Sequence, residues 1–228
     1  MVKSASKAII NDLKHLLFPP RCIFCGEVLP RGSGDTCTAC AKNLPYVEDG
    51  NILRKVGKYT CAVTFYYDDM VQQGIRAMKF RGRKNRAERF APYLARTVAE
   101  HLGGEFDAVT FVPIHFLRRI HRGFDQTERI ATTMADIWEV NLLKTLQKTR
   151  NNRPQSSVKD MEKRRKNVRN AYKAVNLESF CGKHLLLIDD VVTSGSTLTA
   201  CADELLAAGA ASVVCASLAG GHAKKKLT

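Results

Sequence analysis

The chain has 228 residues, 45% of them hydrophobic and 25% charged, and it carries 36 Lys and Arg against 22 Asp and Glu, a formal net charge of +14. That is enough chain for one substantial core and a small accessory unit, with the composition of an ordinary globular protein. It contains no apolar run long enough for a membrane span and no signal-peptide pattern, so a cytoplasmic location is expected.

In chain order, Ser4 to Phe18 places Ile9, Leu13, Leu16 and Leu17 at helical spacing, and Pro19-Pro20 ends that helix, which reads as a docking element. Cys22-Ile-Phe-Cys25 and Cys37-Thr-Ala-Cys40 follow, separated by eleven residues. Two CxxC pairs let both sulfurs of each pair turn toward one metal, and four thiolates close a tetrahedron. Structural zinc on Cys22, Cys25, Cys37 and Cys40 is the expectation; in a cytosolic chain disulfides are the weaker reading. Cys61, Cys181, Cys201 and Cys215 lie in apolar stretches and read as small core residues. The expected organisation is a zinc module with its helix over residues 1–50 and an α/β domain over 51–228.

Tyr59 to Tyr67 alternates like a strand, closed by Asp68 and Asp69. Val71, Ile75 and Met78 have helical spacing, and Ala87 to Leu102 reads as a second helix, broken at Gly103-Gly104. "DAVTFVPI" is a short buried strand, "HFLRRIHRGFDQ" a basic loop, Gln126 to Val140 a helix, and "NLLKTLQKT" another strand. Arg150 to Arg169 is polar and basic with little apolar pattern. "KHLLLIDD" is a buried strand, Thr197 to Ala208 a helix stopped at Gly209, and "ASVVCASLA" the next strand. Apolar strands alternating with helices imply a parallel sheet covered on both faces. The charge is uneven: Lys144 to Lys173 carries a net +9 and Arg76 to Arg89 a net +6. Both blocks attract polyanions, whether phosphorylated small molecules, nucleic acid or acidic lipid.

The most informative stretch is "LLLIDDVVTSGSTLTA", Leu185 to Ala200. Ligands gather at the carboxyl ends of parallel strands, and Asp189-Asp190 stands at such an end. The next residues enter a helix, whose first N–H groups favour an anion. Gly195 lets the backbone approach a phosphate, and Thr193, Ser194, Ser196 and Thr197 add hydroxyls. A ribose 5-phosphate fits both parts, phosphate in the loop and hydroxyls on the carboxylates, with Mg²⁺ joining through the ribose or a pyrophosphate. An ordinary N-cap by Ser196 or Thr197 explains the hydroxyls but not the paired acids. The chain lacks the GxxxxGK[ST] phosphate loop and a GxGxxG turn after a strand.

This stretch resembles the phosphoribosyl pyrophosphate (PRPP) signature of type I phosphoribosyltransferases. The chain as a whole resembles the ComF family of competence-associated proteins. "LLFPPRCIFCG", "MKFRGRKNRAERFA", "VPIHFLRRIHRGFDQ" and "KTRNNRPQSSVKDMEKRRKNVRNAY" recur in order, and Asp125 stands where that family usually has Asn. The resemblance implies the type I phosphoribosyltransferase fold, with Asp189 and Asp190 on the ribose hydroxyls and Thr193, Ser194, Gly195, Ser196 and Thr197 on the 5′-phosphate. It implies a pyrophosphate loop with His115, Arg118, Arg119 and Arg122. It also implies a mobile hood over Arg150 to Arg169, with Arg150, Lys163, Arg164 and Arg165 as polyanion contacts. The function implied is PRPP binding or ribosyl transfer with Mg²⁺ and a role in DNA uptake, with single-stranded DNA and competence-machinery proteins such as a helicase as partners. A non-catalytic single-stranded DNA-binding protein using the same basic cleft is the alternative. A glutamine-dependent amidotransferase needs an N-terminal cysteine nucleophile, and residue 2 here is Val2.

Overall fold

A computed structural model describes residues 19–79, 84–103, 106–150 and 170–222. The expected N-terminal helix, the hood residues Lys163, Arg164 and Arg165, and the lysine-rich tail lie outside these residues. The chain divides into two compact units, Met1–Leu44 and Pro45–Thr228.

In the first unit a tight knuckle carries Cys22 and Cys25, and Gly26 follows at φ 83°, a left-handed turn that suits glycine. Cys37 caps the short helix α1, Thr38–Lys42, its sulfur accepting from the Cys40 N–H at 3.5 Å.

The second unit is built on a six-stranded sheet. Its strands are β1 (Leu53–Val56), β2 (Tyr59–Tyr66), β3 (Ala108–Phe111), β4 (Asn141–Leu142), β7 (His184–Val192) and β8 (Ser212–Gly220). The order is β1-β2-β8-β7-β3-β4; β1 pairs antiparallel with β2, and every other pairing is parallel. A separate antiparallel ribbon joins β5 (Leu146–Lys148) to β6 (Tyr172–Ala174). The helices are α2 (Asp69–Met78), α3 (Lys84–His101), α4 (Phe116–Arg122), α5 (Gln126–Trp138) and α6 (Ser196–Ala207).

β7 is central because its apolar run is buried on both faces. Leu185, Leu186, Leu187 and Ile188 are all fully buried, each contributing about 1.5–3 kcal/mol of apolar burial. Leu185 and Leu187 share a cluster with Leu198, Cys201 and Leu205 of α6. Strand alternation turns Leu186 and Ile188 to the other face, where α5 packs on β7 and β3. The short helices are fixed by local acceptors: Asp68 caps α2 through the Val71 N–H at 3.1 Å, and His115 Nδ1 accepts from the Leu117 N–H at 3.3 Å to start α4. Gly209, at φ 105°, follows the end of α6 as expected.

Three local expectations are corrected. "HFLRRIHRG" is a capped helix rather than a loop, starting at His115 and stopped by the left-handed Gly123. "NLLKTLQKT" is two strands in two sheets, broken where the buried Thr145 shares a 2.7 Å hydroxyl hydrogen bond with Thr110 of β3. Cys181 is exposed, whereas Cys61, Cys201 and Cys215 are buried. No described helix is long and apolar enough to cross a membrane.

Candidate functional site

The chain leaves β3 toward the β4 edge and leaves β7 toward β8, so the connections diverge between β3 and β7. Such a divergence opens a crevice at the carboxyl ends of the strands. β3 is last paired through Phe111 with Ile188, and β7 continues through Asp189 and Asp190. The two acids therefore stand where their neighbouring strand has ended.

Beyond them the chain turns through Thr193, Ser194 and Gly195 into α6. Gly195 is the N-cap, at φ 72°, and makes no side-chain cap hydrogen bond. A Cβ at this position would lie 2.7 Å from the Val56 side chain, so both the conformation and the close approach require glycine. Ser194 Oγ and Ser196 Oγ share a 2.8 Å hydrogen bond. Asp189, Val191, Val192, Thr193, Gly195, Ser196, Thr197 and Leu198 line an open cleft of about 180 Å³. The cap is thus the glycine, and Thr193, Ser196 and Thr197 around it line this cleft. The Ser196 N–H donates to Ser194 Oγ at 3.4 Å, and the dipole of this twelve-residue helix favours an anion at its start.

The two acids do not share surroundings. Asp189 follows Leu185 and Leu187 on the α6 face, and burial and the neighbouring Asp190 push its carboxyl well up, against the pull of Lys148 and Lys79. Lys148 reaches the Tyr172 hydroxyl at 3.0 Å and lies over that ring, 5.0 Å from its centre. Burial pushes Lys148 down, and Asp189 opposes that shift. Asp190 faces the other way. Its Oδ2 lies 3.2 Å from Lys79 Nζ and accepts from Gln126 Nε2 at 3.1 Å. Burial pushes its carboxyl up, but Lys79, Gln126 and Arg122 outweigh that and hold it below the usual range.

The basic helix α4 lies beside this second face. Arg122 Nη1 donates to Gln126 Oε1 at 3.1 Å, and burial lowers its own pKa against the pull of Asp190. Arg119 pairs with Glu128 at 3.2 Å, and Arg118 lies one turn before Arg122. His115 is occupied as the helix cap. Asp125, only 3% exposed, holds the segment together: Oδ1 accepts from the Thr127 and Glu128 N–H groups, capping α5, and Oδ2 accepts from the Ile114 N–H at 2.8 Å. An asparagine has one carbonyl oxygen and cannot accept on both sides, which gives the acid a structural role at this position. Burial pushes the Asp125 carboxyl up to about 6, against those three N–H groups.

The site residues expected from sequence thus gather at one end of the sheet, except Arg150, which lies exposed two residues beyond β5, and the hood lysine and arginines outside the described residues. Sequence reading missed Lys79, Gln126, Lys148 and Tyr172. Of the nearby aromatics, Phe90 is fully buried, and Tyr66 stacks on His222 at 4.3 Å.

In the first unit the sulfurs of Cys22, Cys25, Cys37 and Cys40 lie within 4.8 Å of one another, and Cys25 and Cys37 are 3.7 Å apart. Tetrahedral zinc–thiolate geometry needs sulfurs about 3.8 Å apart. The Glu27 N–H points at Cys25 Sγ and the Cys40 N–H at Cys37 Sγ, as expected for thiolate acceptors. The four cysteines fit a structural zinc with no open coordination position.

The family model described as the phosphoribosyl transferase domain matches residues 85–228, and that of the double zinc ribbon domain matches residues 13–60. The chain belongs to the phosphoribosyl transferase domain family. Among curated proteins it is similar to Competence protein F of Haemophilus influenzae, 32% identical over 97 residues covering 40% of this chain and 41% of that one. It is also similar to DNA utilization protein YhgH of Salmonella typhimurium, 31% identical over 112 residues covering 47% of this chain and 46% of that one. These names bear out the ComF resemblance, although the chain spans less than half the length of the curated relatives it matches. Among solved structures, glutamine PRPP amidotransferase from B. subtilis, complexed with ADP and GMP, matches at 24% identity and a TM-score of 0.40, covering 57% of this chain and 26% of that one.

Proposed function

We propose that the crevice between β3 and β7 binds PRPP and supports transfer of its ribosyl phosphate. The observation that carries this reading is the glycine-capped start of α6 opening directly beside Asp189, with Asp190 and Arg122 on the far side of the same strand end. The 5′-phosphate sits on the Thr193–Thr197 turn, the ribose hydroxyls meet the acids, and the diphosphate lies toward Arg118 and Arg122. Transfer breaks the C1–oxygen bond, the electron pair leaving with diphosphate, and forms a bond from C1 to a nucleophilic acceptor. Arg122 is placed to offset the leaving charge. Asp190, held below the ordinary range, is a weak base, and Asp189, pushed up, holds a proton more tightly than Asp190. With Lys79 and Gln126 already on Asp190, the residues fit a Mg²⁺ that arrives on the diphosphate better than one resident on the acids.

A part in DNA uptake is supported by the names of the two curated relatives and by the net charge of +14, which favours a polyanionic partner such as single-stranded DNA. Thermal melting tests both readings. PRPP with Mg²⁺ at a hundredfold excess over its Kd is expected to raise Tm by roughly 5–10 °C, and Asp189→Asn with Asp190→Asn to abolish the shift. No shift in the unaltered protein overturns the PRPP reading. Single-stranded DNA that lowers the PRPP shift shares the cleft; DNA that binds without affecting it sits elsewhere.

A further inference from the structure

One oxygen of Asp190 is held by donors from two different elements. Lys79, at the C-cap of α2, brings its ammonium to 3.2 Å from Oδ2, and Gln126, the first residue of α5, donates its amide to the same atom at 3.1 Å. A carboxylate oxygen directs two lone pairs, so a ribose hydroxyl that takes Oδ2 meets an acceptor whose donors are already in place, and one of them leaves; a hydroxyl on Oδ1 would displace neither.

The two donors differ in how easily they move. Gln126 is 3% exposed, and its carbonyl is tied to Arg122 at 3.1 Å. Lys79 sits on a flexible four-carbon stem, with 32% of its side chain exposed, and its displaced ammonium has water to go to. We propose that Lys79 is a specificity-determining residue: its ammonium occupies Asp190 Oδ2 in the free protein, and a ribose hydroxyl binds this oxygen by displacing it. Lys79 thereby sets how far the site prefers a ribosyl phosphate over a bare phosphate. This rests on the ribose-phosphate reading above. A bare phosphate seated on the Thr193–Thr197 turn makes no demand on Asp190, because that turn and its cleft lie with Asp189.

The ratio of two affinities tests this, because loss of a cation weakens every anion and the ratio cancels that common effect. Dissociation constants for ribose 5-phosphate and for inorganic phosphate are measured by calorimetry on the full chain, unaltered and as Lys79→Met, Lys79→Gln and Lys79→Arg. The ratio of affinities, phosphate Kd divided by ribose 5-phosphate Kd, is expected to rise about fivefold in Lys79→Met, less in Lys79→Gln, and to stay within about twofold in Lys79→Arg. A rise in the two neutral variants alone supports the displacement. An unchanged ratio, in a protein that binds both ligands, overturns it and leaves the phosphate site standing. A fallen ratio also overturns it, because Lys79 then contacts the sugar directly. An unaltered protein that binds neither ligand overturns the ribose-phosphate reading, and the inference with it.

Discussion

Asp189 and Asp190 are the same residue type, adjacent in sequence and at the end of the same strand, yet they belong to different environments. Asp189 continues the Leu185–Leu187 face toward α6, Lys148 and Tyr172, and its carboxyl is pushed well up. Asp190 continues the Leu186–Ile188 face toward Lys79, Gln126 and Arg122, and its carboxyl is held down. The strand period of two produces this division. An acidic dipeptide in a strand is therefore two groups serving two faces. Both acids lie near the strand end, beyond the last pairing of β3. The Thr193–Thr197 turn lies on one side of that division, and the basic helix α4 on the other.

The largest expected effect comes from damage to the Asp189 side. Gly195→Ala places a Cβ in a left-handed conformation and 2.7 Å from Val56. Conformational strain and overpacking together are expected to cost about 3–4 kcal/mol, read as a lowered denaturant midpoint, with loss of inorganic phosphate binding. If stability falls and phosphate binding survives, the turn is not the phosphate site. On the Asp190 side the corresponding support is Asp125, which joins Ile114 to the start of the helix that carries Gln126. Its carboxyl is raised from 3.8 to about 6. A carboxyl raised by folding binds its proton more tightly when folded, so it favours the folded state at low pH. That advantage is lost as pH rises from about 4 through about 6. The unaltered protein is expected to lose up to about 3 kcal/mol relative to Asp125→Asn across that window. Parallel stability–pH curves for the two proteins would show that Asp125 is not held as an unwilling anion.

How much of this was legible in the sequence depends on distance along the chain. The run Leu185 to Asp190 announced a buried strand ending in two acids, and Thr193 to Thr197 announced the turn, because both signals are local. Four cysteines at CxxC spacing announced the metal cluster for the same reason. Lys79, Gln126, Lys148 and Tyr172 gave no such signal. Lys79 precedes Asp190 by more than a hundred residues and reaches it only because α2 ends beside β7. Gln126 reads as an ordinary helix residue until Arg122 and Asp190 are placed on its two ends. The helix α4 was missed because seven residues give too little periodicity and five of them, from Arg118 to Arg122, include three arginines and a histidine. Its real markers were the cap His115 and the stop Gly123, which in a basic stretch look like loop residues. The break in "NLLKTLQKT" depends on Thr145 meeting Thr110 of another strand, information no local pattern contains.

The smallest expected effect is the most direct test of the two-face division, because it asks for opposite signs. Asp190→Asn removes the negative partner of Lys79, whose ammonium lies 3.2 Å away, while the new amide oxygen still accepts from Gln126. Asp190 is 15% exposed and Lys79 32%, so solvent screens the pair and the loss is expected to be about 1 kcal/mol. Asp189→Asn removes a carboxyl whose ionisation burial and Asp190 both oppose. It is expected to leave stability unchanged or raise it by about 0.5–1 kcal/mol. At pH 7 the two single variants should thus melt on opposite sides of the unaltered protein, separated by a few degrees, while both lose affinity for ribose 5-phosphate. If both melt lower by the same amount, the acids act as one coupled clamp with a shared environment. If only Asp190→Asn loses the sugar, Asp189 belongs to the phosphate cleft alone.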